Sequence, residues 1–184
     1  MLPAYTDLSG YEAIDRNEKE KLIIYSPDEE PHREPVLKAL KKGLPEFKLL
    51  EIRDITFDKY MDLATRCLFS LSFGEGFDGY VAQPIYQGGI GMAVYREEYF
   101  PSESLRDFPN FFSSDEDMID NIVARIRELE EDEALYRRTN KSMMEVYNSL
   151  YSKEDYMRRV GKLIRREFEI YPRDRTKRDE VFRL

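Results

Sequence analysis

Residues 68–80 read LFSLSFGEGFDGY, and this stretch decides how the rest of the chain is interpreted. Its first part is mostly apolar, which predicts a buried β-strand over residues 68–73. Its second part is a turn with three glycines, in which Glu75 stands between Gly74 and Gly76. The run therefore predicts a strand that leads into a helix, with a lone carboxylate at the junction.

Strand and helix patterns alternate on both sides of this stretch, which predicts an α/β fold with a Rossmann-like parallel sheet flanked by helices. Ligands of such sheets bind beyond the carboxyl ends of the strands. Further strands are predicted at residues 21–25, 47–52 and 90–95. Three helices are predicted: one that ends near Gly43, one over residues 57–66 with Thr56 as its N-cap, and one over residues 80–87.

The second half of the chain predicts a helical segment. Ser113 with Glu116 predicts a capping box that opens a helix with an apolar stripe from residue 118 to 129. A second helix is predicted over residues 135–150, and a third begins at Ser152 and reaches Phe168.

These patterns predict one main domain. We expect residues 1–20 to be a linker or docking arm, because they lack periodicity and end in a charged run. Residues 21–170 are predicted to form the Rossmann-like domain with its helical C-terminal segment. Residues 171–184 are polar and locally basic, and we expect them to be a tail.

Composition narrows the class of protein. The formal net charge of −8 argues against a general nucleic-acid binder. The single cysteine, Cys67, excludes a disulfide framework and fits a reducing compartment. No apolar run approaches the roughly 18 residues that a membrane span needs. The first residues do not have the pattern of a signal peptide, so we expect a cytoplasmic protein.

The position of Glu75 suggests a ligand with two chemical parts. A helix N-terminus beyond a strand presents backbone N–H groups that favour anions, and Gly76 and Gly79 allow close approach of the backbone. A carboxylate facing a phosphate would repel it, whereas a carboxylate facing vicinal hydroxyls accepts their hydrogen bonds. The turn therefore suggests a sugar joined to a diphosphate. The alternative is a tight βα turn in which Glu75 is solvated or caps the next helix.

Residues 72–93 resemble the donor-site signature of the GT-B glycosyltransferases of the retaining, glycogen-synthase-like group, which include the family 4-like enzymes. That signature has a glutamate in an EGFG motif, seven residues, a second glutamate, and then a helix that ends at glycine before a strand. The order of elements from about Leu22 to Phe168 also matches the C-terminal, nucleotide-sugar-binding domain of this family. The resemblance implies a UDP-, GDP- or ADP-sugar as substrate, with no cofactor and no metal.

The resemblance also implies roles for single residues. Glu75 would be the catalytic residue that holds hydroxyls of the transferred sugar. The second glutamate of the family falls on Gln83, which keeps an acceptor oxygen for the nucleotide ribose. The remaining positions of the donor-binding loop are Gly74, Gly76, Phe77, Asp78 and Gly79, with the backbone amides of residues 76–78 facing the sugar and diphosphate.

A pair of basic residues grips the diphosphate in this family. Ser26 and Pro27 occupy the position of the first, which is therefore lost, and Arg33 is the candidate for the second. The adjacent His32 is interpreted as a solvated loop residue.

Two departures from the family affect the functional prediction. Compared with the family, we expect a domain shorter by one βαβ unit and no N-terminal, acceptor-binding domain within these residues. They would then be either a fragment of a longer enzyme or one half of a site that a partner completes. The expected partners are therefore a nucleotide sugar and a missing acceptor-binding domain or partner chain. A cluster of basic residues over 158–178 allows peripheral membrane contact, although interleaved acids favour a solvated surface.

Two other functions stay open. The chain could be a non-catalytic nucleotide-sugar-binding or scaffolding module that stabilises a partner glycosyltransferase. It could also be another doubly wound enzyme such as a sugar-nucleotide epimerase, but no GxGxxG motif follows the first strand.

Overall fold

The computed structural model describes Leu8 and residues 10–167. They belong to two compact units, Leu8–Glu145 and a second unit of which residues 146–167 are described. In chain order the elements are β1 (Glu20–Tyr25), α1 (Arg33–Gly43), β2 (Lys48–Glu51), α2 (Phe57–Arg66), β3 (Cys67–Ser72), α3 (Gly79–Tyr86), β4 (Ile90–Val94), β5 (Phe111–Phe112), α4 (Asp115–Glu131), α5 (Glu133–Leu150) and α6 (Lys153–Ile164).

The five strands form one parallel sheet in the order β2-β1-β3-β4-β5. Ile24 of β1 stands opposite Leu50 of β2 on one side and Ser70 of β3 on the other. β3 and β4 are buried along their whole length, as expected for parallel strands covered on both faces. The predicted α/β fold, a Rossmann-like parallel sheet flanked by helices with a helical C-terminal segment, is confirmed.

Helices cover both faces of the sheet because each has one apolar side. α1 and α4 lie on one face, where they pack on Phe69 and Leu71 of β3. α2 covers the other face, where it packs on Leu22 and Ile24 of β1, and α3 lies beside it on β3 and β4. The residues that the covering helices bury are Val36, Leu37 and Leu40 of α1, Met118, Ile122, Ile126 and Leu129 of α4, and Tyr60, Met61, Leu63 and Ala64 of α2.

α3 packs directly on the sheet because small residues face it. A Cβ atom placed on Gly91 of β4 would lie 2.5 Å from the Cα atom of Val81 and 2.6 Å from its carbonyl oxygen. Ser70 of β3 donates a hydrogen bond of 2.7 Å from its hydroxyl to the carbonyl oxygen of Tyr80. Larger residues at these two strand positions would push α3 away from the sheet.

The other end of α3 is held by α5. Asn140 donates hydrogen bonds from its side-chain amide to the carbonyl oxygens of Ile85 and Gly89, at 2.8 and 2.7 Å. The Tyr136 hydroxyl donates a hydrogen bond of 2.8 Å to the carbonyl oxygen of Leu68, near the start of β3. α5 therefore fixes the edge of the sheet opposite to the carboxyl ends of the strands.

The N-caps of two helices, α6 and α4, can be compared with the capping residues predicted from the sequence. Ser152 caps α6 as predicted, because its hydroxyl oxygen accepts the N–H of Asp155. The prediction that Ser113 caps α4 is wrong by one position. Ser114 is the N-cap of α4 and accepts the N–H of Asp117 at 3.1 Å, while Ser113 donates its hydroxyl to the Asp117 carboxylate.

The predicted arm, residues 1–20, is described continuously from Gly10 onward. Asp15 caps a short 3-10 helix at Arg16–Glu18 and pairs with Arg137 of α5 at 3.0 Å. The predicted tail at residues 171–184 lies outside the described residues, so its boundary stays a prediction.

The close approach of α3 to β4 gives a stability test. Gly91→Ala should lower the free energy of unfolding by about 1–3 kcal/mol, because the new methyl group would overlap the backbone of Val81, which cannot rotate away. Urea denaturation measures the loss. Gly10→Ala is the matched control, since no atom lies within 4 Å of its added Cβ. Equal stability of the two variants would contradict the direct packing of α3 on Gly91.

Candidate functional site

A cavity of about 520 Å³ opens at the carboxyl edge of the sheet. Its walls come from the loop after β1, the segment between β2 and α2, the turn between β3 and α3, and residues of α2 and α3 themselves. Small-molecule sites in proteins typically measure about 300–1,000 Å³, so the cavity is large enough for a ligand of that class.

The cavity lies where the strand order changes direction. From β1 the chain moves to β2 on one side, and it then returns past β1 to β3 on the other side. α1 and α2 make these two connections on opposite faces of the sheet, which leaves a crevice between the loops that follow β1 and β3. Open parallel α/β sheets bind their ligands at this position. The β1 loop contributes Asp28 to the lining, and the β3 turn contributes Gly74 and Glu75.

The turn that carries Glu75 is fixed by contacts away from the cavity. Gly76 has a φ of +79°, and a Cβ atom on it would lie 2.9 Å from the carbonyl oxygen of Val94. Phe77 is buried, with its ring centroid 5.2 Å from that of Phe100. These contacts hold the turn in place and leave the Glu75 side chain exposed at the cavity.

Asp78 closes the first turn of α3. One carboxylate oxygen accepts the backbone N–H groups of Tyr80 and Val81 at 2.8 and 3.3 Å, and the other accepts the Ser72 hydroxyl at 2.6 Å. Burial raises the pKa of the Asp78 carboxyl, while these hydrogen bonds act in the opposite direction. The N–H groups of Tyr80 and Val81 therefore bind the chain's own carboxylate, and these two groups are not free to bind an anion.

Aromatic side chains form one wall of the cavity. The ring centroid of Tyr60 is 6.2 Å from that of Phe57 and 5.7 Å from that of Tyr80. Tyr60 is buried and donates its hydroxyl to the carbonyl oxygen of Gly79 at 2.8 Å, so its ring is fixed. Phe57 is 45% exposed and offers a ring to a ligand.

The cavity is electrostatically negative. Three carboxylates line it, those of Asp28, Glu75 and Asp78, and none of its lining residues is Lys or Arg. Among the described residues, neither Asp28 nor Glu75 has a hydrogen bond or an ion pair. The pKa of the Tyr80 hydroxyl is raised, first by burial and then by the negative charge of Asp28. Two acceptor groups without protein partners therefore face the same space.

The structure brings most of the predicted site residues together. Glu75, Gly74, Asp78, Gly79 and Gln83 all line the cavity. The Gln83 amide folds over Gly79, where an added Cβ atom would lie 2.6 Å from the Gln83 Oε1 atom. That oxygen is buried and has no hydrogen-bond donor among the described residues.

Three predicted site residues do not line the cavity. Gly76 and Phe77 pack away from it, as described above. The Arg33 guanidinium lies 3.1 Å from a carboxylate oxygen of Glu51 and 5.6 Å from the ring centroid of Tyr25. The second basic residue of the predicted diphosphate site is therefore paired elsewhere on the same sheet edge.

The prediction that His32 is a solvated loop residue is wrong. Its side chain is 2% exposed, and its ring centroid lies 5.4 Å from that of Phe73. Its Nδ1 atom is 3.5 Å from Asp115, whose other carboxylate oxygen accepts a hydrogen bond from Arg96. Neither ring nitrogen has a hydrogen bond to a described residue. Burial lowers the pKa of His32, while the charge of Asp115 acts in the opposite direction.

Sequence reasoning missed part of the lining. Asp28 was not among the predicted site residues, although a carboxylate shortly after a predicted strand is a possible ligand group. The sequence did not indicate that Phe57 and Tyr80 line a cavity, because aromatic residues at helix starts commonly pack in cores. The Asp78–Gly79 pair directly before a predicted helix was a readable N-cap signal.

Comparison with known proteins adds no family assignment: no family model matches the chain, and no curated protein matches it significantly. Within residues 10–167 no group of His, Cys, Asp and Glu side chains is arranged to hold a metal ion. None of the helices in the described part of the chain is long and apolar enough to cross a membrane.

The Asp78 cap gives a test of the helix start. Asp78→Ala should lower the free energy of unfolding by about 0.5–2 kcal/mol, because the N–H groups of Tyr80 and Val81 lose their acceptor. Asp78→Asn keeps an acceptor oxygen and should cost less, since burial already disfavours the charged form. Urea denaturation at neutral pH compares the two variants. Equal losses would show that the negative charge, and not the acceptor atom, stabilises α3.

Burial of His32 predicts acid sensitivity. Because its folded-state pKa lies below the ordinary value of 6.5, the unfolded chain binds the proton more readily. The stability contributed by neutral His32 is complete above that value and is lost as pH falls through the lowered pKa. The free energy of unfolding of the wild type should therefore fall more steeply below pH 6.5 than that of His32→Gln. Parallel curves for the two proteins would refute this.

Proposed function

We propose that the cavity binds the sugar of a nucleotide-diphosphate sugar, and that the chain is the donor-binding half of a glycosyltransferase that acts on an acceptor hydroxyl. The observation that carries the proposal is the Glu75 carboxylate, which has no partner among the described residues and faces a cavity at the β1–β3 crevice. A carboxylate in that state accepts hydrogen bonds from two vicinal hydroxyls of a sugar.

The walls of the cavity support a sugar as the ligand. Phe57 and Tyr80 offer aromatic surface to the C–H groups of a sugar ring, and Asp28 offers a second acceptor beside Glu75. Gln83 lines the α3 side of the cavity, where its amide group could bind a hydroxyl of the same sugar. Apolar surface with a few well-placed polar groups is the usual composition of a small-molecule site.

The charges decide the orientation of the ligand. With three carboxylates and no lining cation, the cavity would repel a diphosphate, so the phosphates lie outside it and the sugar inside. Two basic groups on this sheet edge, Arg33 and Arg53, both pair with Glu51. Arg53 also donates a hydrogen bond to the carbonyl oxygen of Pro27, directly before Asp28. A diphosphate leaving the cavity on this side would meet the half-exposed guanidinium group of Arg53.

In this proposal a second domain or a partner chain supplies the acceptor hydroxyl and closes the cavity. The described residues supply recognition of the donor sugar, with Glu75 as the group closest to the reaction. Isolated, the chain would bind the donor and turn it over poorly.

A second candidate is the non-catalytic module that binds a sugar and stabilises a partner glycosyltransferase. The Asp78 cap favours it, because the N–H groups of Tyr80 and Val81 that a diphosphate would use are already taken. The two candidates differ in whether the nucleotide diphosphate adds to the affinity for the sugar.

Thermal denaturation with UDP-, GDP- and ADP-glucose tests the proposal. At about 100 times its dissociation constant, a true ligand adds about 2.7 kcal/mol to the free energy of unfolding. Glu75→Gln should reduce the shift caused by the nucleotide sugar to the size of any shift caused by the plain nucleotide, because a neutral amide oxygen binds the sugar hydroxyls more weakly than a carboxylate. Glu98→Gln, an exposed change just beyond β4 and outside the cavity lining, is the matched control and should bind like the wild type.

The outcomes separate the candidates. A shift with one nucleotide sugar that exceeds the shift with free glucose supports the donor-binding enzyme half. Equal shifts with glucose and the nucleotide sugars support the non-catalytic module. The absence of any shift at millimolar ligand would overturn the assignment of the cavity to a sugar.

A further inference from the structure

We propose that the sugar bound in this cavity carries a free, positively charged amino group, which lies between the carboxylates of Asp28 and Glu75. The inference rests on the proposed function, because it names the class of sugar that the same cavity takes. The proposed ligand is a sugar with a protonated amino group. A sugar with a hydroxyl or an acetylated amino group at the same position would lack the positive charge.

The first observation is the unneutralised charge. Asp28 and Glu75 reach the cavity from the ends of neighbouring strands, β1 and β3, and neither has an ion pair or a hydrogen bond among the described residues. The carboxylate of Asp28 lies over Gly74, where an added Cβ atom would be 3.0 Å from its Oδ2 atom. Gly74 therefore leaves the room that lets Asp28 approach the turn that carries Glu75.

The third carboxylate cannot take the same role. Both oxygens of Asp78 are occupied by Ser72 and by the N–H groups of Tyr80 and Val81. Hydroxyl groups alone would leave the two free carboxylates of this cavity without a counter-charge. An ammonium group supplies three N–H donors and one positive charge, which satisfies both carboxylates together.

The aromatic wall is a second, independent observation. Phe57 and Tyr80 line the same cavity as Asp28 and Glu75, and Phe57 is half exposed. Aromatic ring faces attract cations through their quadrupole, and the attraction grows when water is displaced. A wall of rings beside two carboxylates is thus better matched to a cation than to a neutral group.

A third observation concerns the rest of the ligand. Gln83 also lines the cavity, and its Oε1 atom has no hydrogen-bond donor among the described residues. Thr56 lines the cavity as well, and its oxygen accepts the backbone N–H of Lys59, which leaves its hydroxyl proton to donate. These two groups match the hydroxyls of a sugar, so the cavity provides for both a polyol and a cation.

Titration calorimetry on the full chain tests the inference with three probes that differ at one position: the methyl glycosides of glucosamine, glucose and N-acetylglucosamine. At a pH where the amine is protonated, the glucosamine glycoside should bind at least about tenfold more tightly than the other two, because charge-assisted hydrogen bonds are roughly twice as strong as neutral ones. The preference should shrink at high salt, because exposed charges are screened.

Two variants test whether the preference for the charged glycoside depends on the carboxylates of the cavity. Asp28→Asn removes one of the two negative charges, so it should bind the glucosamine glycoside and the glucose glycoside with nearly equal affinity. Glu98→Gln should keep the full preference. Thermal denaturation of each variant without ligand shows whether it is folded. The comparison of the three glycosides on the wild type tests the inference even if a variant does not fold.

The results distinguish this inference from the proposed function. Equal binding of the charged and neutral glycosides overturns the amino-sugar inference and leaves the sugar site in place. Binding of none of the glycosides, and of none of the nucleotide sugars, overturns both. A preference for the glucosamine glycoside that survives in Asp28→Asn places the ammonium elsewhere and overturns the assignment to Asp28 and Glu75.

Discussion

The close contact between α3 and the two strands beneath it is the constraint on which the site depends. Gly91 lets the backbone at Val81 rest on β4, and Ser70 fixes the first turn of the helix from β3. Asp78 then joins that turn to Ser72 through its carboxylate. If α3 stood further from the sheet, the turn with Glu75 would lose its anchor at the helix start, and the cavity would lose one wall.

The same cap explains why this edge of the sheet differs from a simple anion site. A helix start beyond a parallel strand offers N–H groups to anions. Here the N–H groups of Tyr80 and Val81 donate their hydrogen bonds to the carboxylate of Asp78 instead. The space that remains is bordered by carboxylates and aromatic rings. By charge, this space suits hydroxyl groups and cations better than phosphate.

Local signals predicted the elements well. The helix over 57–66 was predicted with its N-cap Thr56, and the structure has α2 at Phe57–Arg66 with that cap. The α4 cap was predicted one residue too early, because two consecutive serines precede the same acidic turn and either could cap it. Side chains of the site were harder to predict. Asp28 is far in sequence from Glu75, and only the pairing of β1 with β3 brings their loops together.

The sequence by itself determined the α/β class, the alternation of strands and helices, and a carboxylate where β3 leads into α3, because these depend on short-range periodicity and turn chemistry. Only the tertiary structure decided the environment of charged and polar groups. It paired Arg33 with Glu51, buried His32 beside Asp115, and left Asp28 facing the cavity. The physical reason is that burial and charge pairing depend on neighbours from distant segments, and the strand order selects those neighbours.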